Sequence, residues 1–416
     1  MEGIGDLFPR FASPLLEEAL TDSPVVLIHG PRQCGKSTMA QKVGKPLGYT
    51  YLTMDDDPSR LAALSDPVGF IANLPDKVIL DEIQRVPHLF PTIKSTVDRN
   101  RTPGRFILTG STNILLLPKL SESLAGRMSI LRLHPLSQGE IQSQKSDFLT
   151  ALFSADFPWA RTDRLEGDLI QMIVSGGYPA ALARKSPGRR STWYADYVQT
   201  LIQADVRELT RIVGVEIIDR LLLAASIQTA TLYSLAELAA PFALSRPTIQ
   251  SYVQLLARMF LIDFLPAWHS NRLKRLLKTP KLHAGDTGWA CSLLAMDAKA
   301  LAKDRVILGK LTETFVVQEL KRQAIWADQP PKFFHFRNKD GQEVDIVLER
   351  GARQVAGVEV KLSSSVGRGD FSGLARLRQT LGKAFVSGVV FYDGEETLSF
   401  GDRLFAVPLR RLWEAR

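Results

Sequence analysis

The sequence predicts an α/β protein with a parallel-sheet core, a helical middle and a second α/β domain at its C-terminal end. Three observations favour this fold class. Short, continuously apolar segments alternate with helical stretches over residues 1–137. Helical periodicity then dominates up to about residue 290, and strand-like segments return after Leu308. Continuous apolar strands separated by helices are typical of a parallel sheet covered on both faces.

Length and composition indicate several folded domains in a reducing compartment. The chain has 416 residues, of which 45% are hydrophobic and 23% charged, and such a length predicts roughly two to four domains. It contains no run of about 18 apolar residues that would span a membrane, and its N-terminus lacks a secretory signal pattern. Cys34 and Cys291 are its two cysteines. We therefore expect a cytoplasmic protein without disulfides.

The chain is basic, with a formal net charge of +8 and a pI of about 9.4. A positive balance of this kind favours an anionic partner, and DNA is the leading candidate. Many basic proteins bind no nucleic acid, so the position of the cations along the chain decides how much weight this argument has.

Four strands are predicted in the first domain, which we place at residues 1–137. They cover residues 25–29, 77–80, 105–108 and 130–133. Each is a short apolar run, and the segments between them are long enough for the helical crossovers that parallel strands require.

A glycine-rich loop follows the first strand. Residues 30–37 fit the pattern G-x-x-x-x-G-K-[ST] between a strand and a helix, which is the context of a phosphate-binding loop. Glycines let backbone N–H groups converge on phosphate oxygens, and the helix N-terminus attracts negative charge. We expect ATP here, with Lys36 on the β- and γ-phosphates, Ser37 on Mg²⁺ and Thr38 near the α-phosphate. The candidate nucleotide-binding residues are Gly30, Pro31, Arg32, Gln33, Cys34, Gly35, Lys36, Ser37 and Thr38.

Two carboxylates, Asp81 and Glu82, stand at the end of the second apolar strand. Ligands of open α/β sheets bind at the carboxyl ends of the strands. We expect Asp81 to hold Mg²⁺ and Glu82 to orient or deprotonate the attacking water, which predicts ATP hydrolysis. An ordinary acidic turn between a strand and a helix is the alternative.

The third strand ends in hydroxyl side chains. Thr109 and Ser111 are candidates to sense the γ-phosphate or to position the water, and a plain Thr-Gly-Ser turn is the alternative. Arg127 is a candidate arginine finger for the nucleotide of a neighbouring subunit. A finger that acts across subunits predicts a homo-oligomer, either a ring or another multimer. A surface arginine in an ion pair is the competing interpretation.

A helical lid or linker is expected over residues 138–215, and a winged helix-turn-helix over residues 216–290. Residues 235–239 predict a short helix with apolar side chains at helical spacing. A second helix begins at Arg246, preceded by Ser245 and with a proline in its first turn, which are both signals of a helix start.

The predicted wing joins a strand at residues 261–268 to another at residues 281–284. Residues 271–281 carry five cations and no acid, so binding to DNA phosphates would weaken steeply with salt. The candidate DNA contacts are Arg246, Thr248 and Gln250 at the start of the second helix, and Arg272, Lys274, Arg275, Lys278 and Lys281 in the wing. Winged helices also serve as protein-packing modules, and this alternative stays open.

The last predicted domain, residues 291–416, contains two carboxylates and a lysine in a pattern of metal-dependent nucleases. Asp345 lies in an alternating strand, and Glu359 and Lys361 share one face of another strand because side chains repeat every two residues. In that chemistry the carboxylates bind Mg²⁺ and the lysine positions or activates the attacking water. Glu313, on the preceding predicted helix, is a further candidate metal ligand. The pattern is loose, and its fold also exists in catalytically silent forms.

Together these motifs resemble a group of predicted prokaryotic AAA+ ATPases whose C-terminal half is a domain of unknown function. The resemblance covers nearly the whole chain, and its matching segments are GPRQCGKS at Gly30, VILDEIQ at Val78, ILTGS at Ile107, SLAGR at Ser123, LHPLSQGE at Leu133, GGYP at Gly176, KLHAGDTG at Lys281, TETFVVQEL at Thr312, EVDIVLE at Glu343 and VEVK at Val358.

The resemblance implies an AAA+-like P-loop NTPase core, a winged-helix segment and a C-terminal domain similar to the PD-(D/E)xK nucleases, which have a restriction-endonuclease-like α/β fold. Asp345, Glu359 and Lys361 match the core of the nuclease motif. Val344 stands where that motif usually has a proline, which slightly weakens the expectation of cleavage.

The first hypothesis is an ATP-driven machine that acts on DNA. ATP and Mg²⁺ would bind at the glycine-rich loop, the winged helix would hold DNA, and the C-terminal domain would contact or cut branched or duplex DNA. The alternative is a regulatory ATPase whose winged-helix and nuclease-like domains bind other proteins. A third hypothesis makes nuclease activity the main output.

Overall fold

The computed structural model describes residues 8–111, 124, 126–209, 215–242, 244–352 and 354–414. The chain divides into two compact units. The first comprises Met1–Leu136, Tyr178–Ala180 and Arg258–Phe260, and the second comprises Ser137–Gly177, Ala181–Ala257 and Leu261–Arg416.

The first unit is built on a five-stranded parallel sheet in the order β2-β3-β4-β1-β5. Its strands are β1 (Val25–His29), β2 (Thr50–Thr53), β3 (Val78–Asp81), β4 (Phe106–Gly110) and β5 (Met128–Arg132). Strands β1, β3 and β4 are buried along their whole length, as expected for a parallel sheet covered on both faces. The four predicted strands are confirmed with small shifts of their ends, and β2 is an additional edge strand.

Among the residues that the structure describes, five helices pack with this sheet and supply much of its core. They are Ser13–Asp22, Lys36–Gly44, Asp57–Ser65, Pro67–Ala72 and Leu89–Arg99. The last of them places four apolar side chains in the core beside β3 and β4. Burial of this much apolar surface is the main source of stability for such a layered unit.

The second unit contains a six-stranded mixed sheet and a small antiparallel sheet. The large sheet has the order β13-β14-β12-β11-β10-β9, with strands β9 (Lys332–Arg337), β10 (Glu343–Arg350), β11 (Gln354–Val360), β12 (Phe385–Tyr392), β13 (Leu398–Ser399) and β14 (Leu404–Pro408). The small sheet has the order β6-β8-β7, with strands β6 (Thr231–Leu232), β7 (Ile262–Leu265) and β8 (Lys281–Ala284). The C-terminal α/β sheet domain expected from the sequence is thus confirmed.

Helices make up most of the remaining second unit. Their bounds are Gln138–Ile141, Phe148–Ser154, Gly167–Ser175, Pro187–Leu209, Val215–Ile227, Leu235–Ala239, Arg246–Arg258, Arg272–Leu277, Thr287–Leu293, Ala298–Lys303, Arg305–Gln323 and Ser372–Leu381. A further short helix, Pro179–Leu182, begins in the residues assigned to the first unit. Within the described ranges, no helix has the length and apolar character needed to cross a lipid bilayer.

The segment between β7 and β8 differs from the extended wing that the sequence predicts. It forms the helix Arg272–Leu277, which begins after Asn271. The Asn271 side chain accepts the backbone N–H groups of Leu273 and Lys274, and this capping explains why the helix starts there. The antiparallel pairing of β7 with β8 is present as predicted.

Four of the sequence motifs meet in one buried ion network of the second unit. Asp286 accepts the backbone N–H of Gly177 at 2.9 Å and a bond from Arg322 at 3.1 Å. Arg322 also donates to Glu319 at 2.8 Å, and Glu319 accepts the N–H of Gln138 at 2.9 Å. Burial raises the pKa of Glu319 to about 7, although the charge of Arg322 opposes this. These residues therefore join four segments of the second unit through buried hydrogen bonds and ion pairs.

Candidate nucleotide site and C-terminal carboxylate cluster

The glycine-rich loop joins β1 to the helix Lys36–Gly44, and its backbone requires glycine at two positions. A Cβ atom on Gly30 would lie 2.0 Å from the carbonyl oxygen of Leu133, so any side chain here would clash. Gly35 has a φ of 101°, in the region that favours glycine. Gln33 has a φ of 59°, which is uncommon for a residue with a side chain.

Lys36 is folded back over the loop. The residue is only 4% exposed, and its ammonium group donates to the backbone carbonyl oxygen of Pro31 at 2.7 Å. A carbonyl oxygen is the weaker partner for this cation, because a charged phosphate oxygen forms the stronger hydrogen bond. Lys36 is therefore placed to exchange Pro31 for a phosphate that enters the loop.

Arg10 supports the loop and was missed by the sequence analysis. Its guanidinium donates to the backbone carbonyls of Cys34 at 3.1 Å and His134 at 2.7 Å. Cys34 itself is buried, and its Sγ atom lies 3.6 Å from the carbonyl oxygen of Leu133. Arg10 precedes the first strand and belongs to no recognisable motif, so its role depends on tertiary structure alone.

Asp81 lies at the end of β3 and accepts hydrogen bonds from three hydroxyl groups. Ser37 donates to its Oδ1 atom at 2.6 Å, Thr109 donates to the same oxygen, and Tyr51 donates to Oδ2 at 2.7 Å. Burial, together with the hydrogen bond to Asp81, raises the pKa of Tyr51. Tyr51 lies on the edge strand β2 and was not predicted as part of the site.

Glu82 follows Asp81 in a left-handed backbone conformation, with a φ of 54°. Its backbone N–H donates to Thr109 at 3.2 Å, and its side chain accepts bonds from Ser111 at 2.9 Å and from Gln84. Non-glycine residues held in this conformation cluster at functional sites. The structure thus brings Thr109 and Ser111 to the two acids, and it adds Gln84, which the sequence analysis missed.

Arg127 lies in an ion pair with Asp98, and its Nη2 atom is 3.2 Å from Oδ2 of that residue. The hydrogen bond from Arg127 lowers the pKa of Asp98. This contact agrees with the alternative interpretation of Arg127, a surface arginine in an ion pair instead of an arginine finger. The other predicted loop residues, Arg32 and Thr38, lie on the loop and in the first helical turn, and both are half-buried.

The second group of predicted site residues lies in the second unit and surrounds a lysine. The Nζ atom of Lys281 is 2.9 Å from Oε1 of Glu313, 2.9 Å from Oε1 of Glu343 and 3.1 Å from Oδ1 of Asp345. The side chain of Lys281 is 3% exposed. Burial acts to lower its pKa, but the three carboxylates more than offset this and raise it. Lys281 is therefore a buried ammonium group with three carboxyl partners. Burial is also the main reason why the pKa of one of them, Glu313, is raised well above its usual range.

Glu359 and Lys361 complete this cluster on β11 and just beyond it. Lys361 Nζ lies 3.1 Å from Glu359 Oε1, and the backbone N–H of Asp345 donates to Glu359 Oε2 at 3.3 Å. Asp345 uses its Oδ2 atom to accept the N–H of Val360 at 3.0 Å. Burial, and next the charge of Asp345, raises the pKa of Glu359 to about 8. The predicted residues are thus close together, but each carboxylate already has donors.

The residues of this cluster do not fit the magnesium ion that the sequence predicts for Asp345, Glu359 and Glu313. Among the residues that the structure describes, no three His, Cys, Asp or Glu side chains are arranged to hold a metal ion. The physical reason is that Lys281 places its ammonium group against the oxygens that would bind the metal. Neither this role of Lys281 nor the presence of Glu343 in the cluster was predicted from the sequence.

Two predicted DNA contacts are wrong because their side chains are buried in ion pairs. Lys281 is enclosed by the carboxylates described above. Arg275 is 12% exposed and lies 2.7 Å from Glu349. Its guanidinium also stacks on the rings of Trp268 and Phe334, with centroid distances of 5.2 Å and 4.8 Å. Neither cation is therefore able to reach a phosphate of DNA.

The other predicted DNA contacts remain accessible. Arg246 and Gln250 are exposed at the start of the helix Arg246–Arg258, whereas Thr248 is half-buried and bonds Ser245 at 2.8 Å. In the helix Arg272–Leu277 and directly after it, three cations are exposed, namely Arg272, Lys274 and Lys278.

The sheet order, the glycine-rich loop and the acid pair at the end of β3 define an AAA-type P-loop ATPase fold in the first unit. In agreement with this, residues 22–142 match the model of the AAA domain family. Residues 166–300 and 308–412 match two domains of unknown function, DUF8612 and DUF4143.

Relatives of the whole chain occur in mycobacteria. The uncharacterized protein Rv2008c of Mycobacterium tuberculosis is 30% identical over 402 residues, which is 96% of this chain and 83% of the relative. The uncharacterized protein Mb2031c of Mycobacterium bovis has the same identity and coverage. The chain belongs to the family of these two proteins.

Two solved structures resemble parts of the chain. The Walker-type ATPase PABY2304 of Pyrococcus abyssi is 17% identical, with a TM-score of 0.44, over 70% of this chain and 100% of that one. The RuvB Holliday junction branch migration motor of Thermotoga maritima is 19% identical, with a TM-score of 0.28, over 64% of this chain and 92% of that one.

Proposed function

We propose that the protein hydrolyses ATP at the loop of residues 30–37 and couples this reaction to DNA binding. The observation that carries the proposal is the environment of Asp81, which accepts bonds from the hydroxyls of Ser37, Tyr51 and Thr109. Hydroxyl groups are neutral and have lone pairs of their own. These bonds thus leave the negative charge of the Asp81 carboxylate available to a metal–nucleotide complex.

Different residues would bind the phosphates and the Mg²⁺ ion. Lys36 would leave the Pro31 carbonyl for the β- and γ-phosphates of ATP, and the backbone of the loop would enclose them. Ser37 and Asp81 would hold Mg²⁺. When bound, Mg²⁺ neutralises the charge that develops on the transferred phosphoryl group.

Glu82 would orient the attacking water or accept its proton. Its carboxylate is held by Ser111 at 2.9 Å and by Gln84, so its position is fixed before water arrives. Thr109 bonds both the Asp81 side chain and the Glu82 backbone, and it therefore couples the two acids. A fixed carboxylate at hydrogen-bond reach of water is what general base catalysis requires.

We further propose four functional segments, at residues 1–137, 138–215, 216–290 and 291–416. In the third, the succession of helix, strand, two helices and two antiparallel strands supports a winged helix that binds DNA. Its accessible DNA contacts would be Arg246, Gln250, Arg272, Lys274 and Lys278. In the fourth, the mixed sheet is similar in its order of elements to the PD-(D/E)xK fold, and its role would be to bind DNA without cutting it. We expect a cytoplasmic homo-oligomer.

A second candidate function is a regulatory ATPase whose middle segment binds another protein. One observation favours it: the helix that carries the cations also exposes Leu273, Leu276 and Leu277, at 74%, 82% and 87% exposure. Adjacent exposed leucines suit an apolar protein partner better than a phosphate backbone.

Steady-state ATP hydrolysis with and without DNA tests the proposal. The full chain is assayed with Mg²⁺ and single-stranded, duplex or four-way-junction DNA, and DNA is expected to raise the rate. The triple variant Arg272→Glu, Lys274→Glu, Lys278→Glu should lose this stimulation and show a flatter salt dependence of DNA affinity.

The matched control reverses three exposed cations elsewhere, Lys299→Glu, Lys303→Glu and Arg305→Glu, and should retain the stimulation. A chain that hydrolyses no ATP would contradict the ATPase assignment. If the rate of ATP hydrolysis is the same with and without each kind of DNA, the regulatory ATPase is favoured.

A further inference from the structure

Lys281 brings together elements that are distant in the chain. It is the first residue of β8, where it pairs with Leu232 of β6 and Leu265 of β7. Its side chain leaves this small sheet and reaches Glu313 on the helix Arg305–Gln323. It also reaches Glu343 and Asp345 on strand β10 of the large sheet.

All N–H donors of the Lys281 ammonium group have a carboxyl partner. An ammonium group has three N–H donors and no acceptor, and Lys281 meets one oxygen from each of three carboxylates at 2.9–3.1 Å. The second oxygen of Asp345 is occupied by the N–H of Val360. A divalent ion that bound the same carboxylate oxygens would lie next to a buried cation, where water does not screen the repulsion.

We propose that Lys281 is the resident cation of this cluster and replaces a metal ion there, so that the C-terminal domain works without a divalent metal. The carboxylates then serve to fasten β8 to the large sheet and to the helix Arg305–Gln323. This assignment concerns the second unit and does not depend on nucleotide binding by the first.

A second contact between the same segments supports this role. Arg275, six residues before Lys281, forms an ion pair with Glu349 on β10, and Trp268 donates to the same carboxylate at 3.0 Å. Strand β10 is therefore fastened at both of its ends, by Lys281 near its start and by Arg275 near its end. Two cations of the middle segment, Lys281 and Arg275, thus form ion pairs with acids of β10.

Mn²⁺ binding by the full, nucleotide-free chain tests the proposal, with free Mn²⁺ measured by electron paramagnetic resonance. All variants carry Asp81→Asn, which removes the proposed metal ligand at the loop. With Lys281 intact, the chains with and without Asp345→Asn or Glu313→Gln should bind equal amounts of Mn²⁺. Loss of one bound ion in both carboxylate variants would overturn the proposal, because a metal site would then exist beside Lys281.

Lys281→Met removes the charge and keeps an unbranched apolar side chain of similar length. This variant should bind one additional Mn²⁺ per chain, and adding Asp345→Asn should abolish that ion. A folded Lys281→Met chain, checked by circular dichroism, that binds no additional Mn²⁺ would overturn the replacement of a metal by Lys281. If this variant does not fold, the proposal is still tested by the Mn²⁺ binding of the chains that keep Lys281, with and without Asp345→Asn or Glu313→Gln. Lys361→Met, which removes a lysine that is 33% exposed, is the matched control and should bind no additional ion.

Discussion

The two groups of acids in this protein both lie on or at the ends of buried strands, but their surroundings differ. Asp81 accepts bonds from the hydroxyls of Ser37, Thr109 and Tyr51, whereas Asp345 faces the ammonium group of Lys281. A carboxylate with neutral donors keeps its attraction for a cation, whereas one beside a buried lysine is already paired with a cation. This contrast shows that an acid motif at a buried strand does not by itself indicate a metal site, because the donors around the acids also matter.

Removing the proposed catalytic acid should have the largest effect on the first of these groups. Glu82→Gln keeps the size and hydrogen bonds of the side chain but removes the base, so kcat should fall by roughly 10²–10⁴-fold with ATP affinity preserved. Steady-state hydrolysis and a nucleotide-binding titration measure the two effects. Glu18→Gln, at an exposed residue, is the control and should leave both unchanged. Normal turnover in Glu82→Gln would remove this residue from its assigned role.

Substitutions in the second group, around Lys281, should lower the free energy of unfolding. Lys281→Ala leaves three carboxylates without their buried cation and should cost about 3–5 kcal/mol. Lys361→Ala removes a partly exposed partner of Glu359, and the loss should be about 1 kcal/mol or less. Urea unfolding in the presence of a metal chelator, followed by circular dichroism, measures the difference between the two variants. Equal losses would mean that Lys281 is not the main compensating charge of the cluster.

A smaller effect on the free energy of unfolding is expected from Glu319, whose carboxylate accepts hydrogen bonds from Arg322 and from the backbone N–H of Gln138. Glu319 should release its proton near pH 4.5 when unfolded and near pH 7 when folded. Over this window the folded state binds more protons, so the free energy of unfolding should fall as the pH rises. Glu319→Gln should flatten this dependence in urea unfolding measured at several pH values. Glu17→Gln, at an exposed residue, should leave the slope unchanged, and an unchanged slope in Glu319→Gln would contradict the raised pKa.

Local patterns predicted the first unit better than the second. The strands at residues 25–29 and 78–81 are continuous apolar runs, and the loop after the first has a motif with a direct physical meaning. Strand β2 was missed because it is only partly buried and lies at the edge of the sheet. Tyr51 on this strand was missed for the same reason, although it contacts Asp81.

The environment of Lys281 depends on long-range contacts, and from the sequence this residue was predicted to contact DNA. Its partners Glu313 and Asp345 follow 32 and 64 residues later in the chain, so no local pattern connects them. The cations around Arg275 were likewise taken for a loop, because a six-residue helix is too short to show a clear helical repeat. The capping residue Asn271, a type favoured at helix starts, was the available signal.

Calorimetric titration of the nucleotide-free chain with ATP in the presence of Mg²⁺ tests most directly whether the loop binds a nucleotide. The unaltered chain should bind one ATP, and Lys36→Ala should lose this binding because the ammonium partner of the phosphates is gone. Lys45→Ala, at an exposed lysine just beyond the same helix, should bind as the unaltered chain does. Equal ATP affinity in the unaltered chain and in Lys36→Ala, or no binding to the folded unaltered chain, would contradict the account.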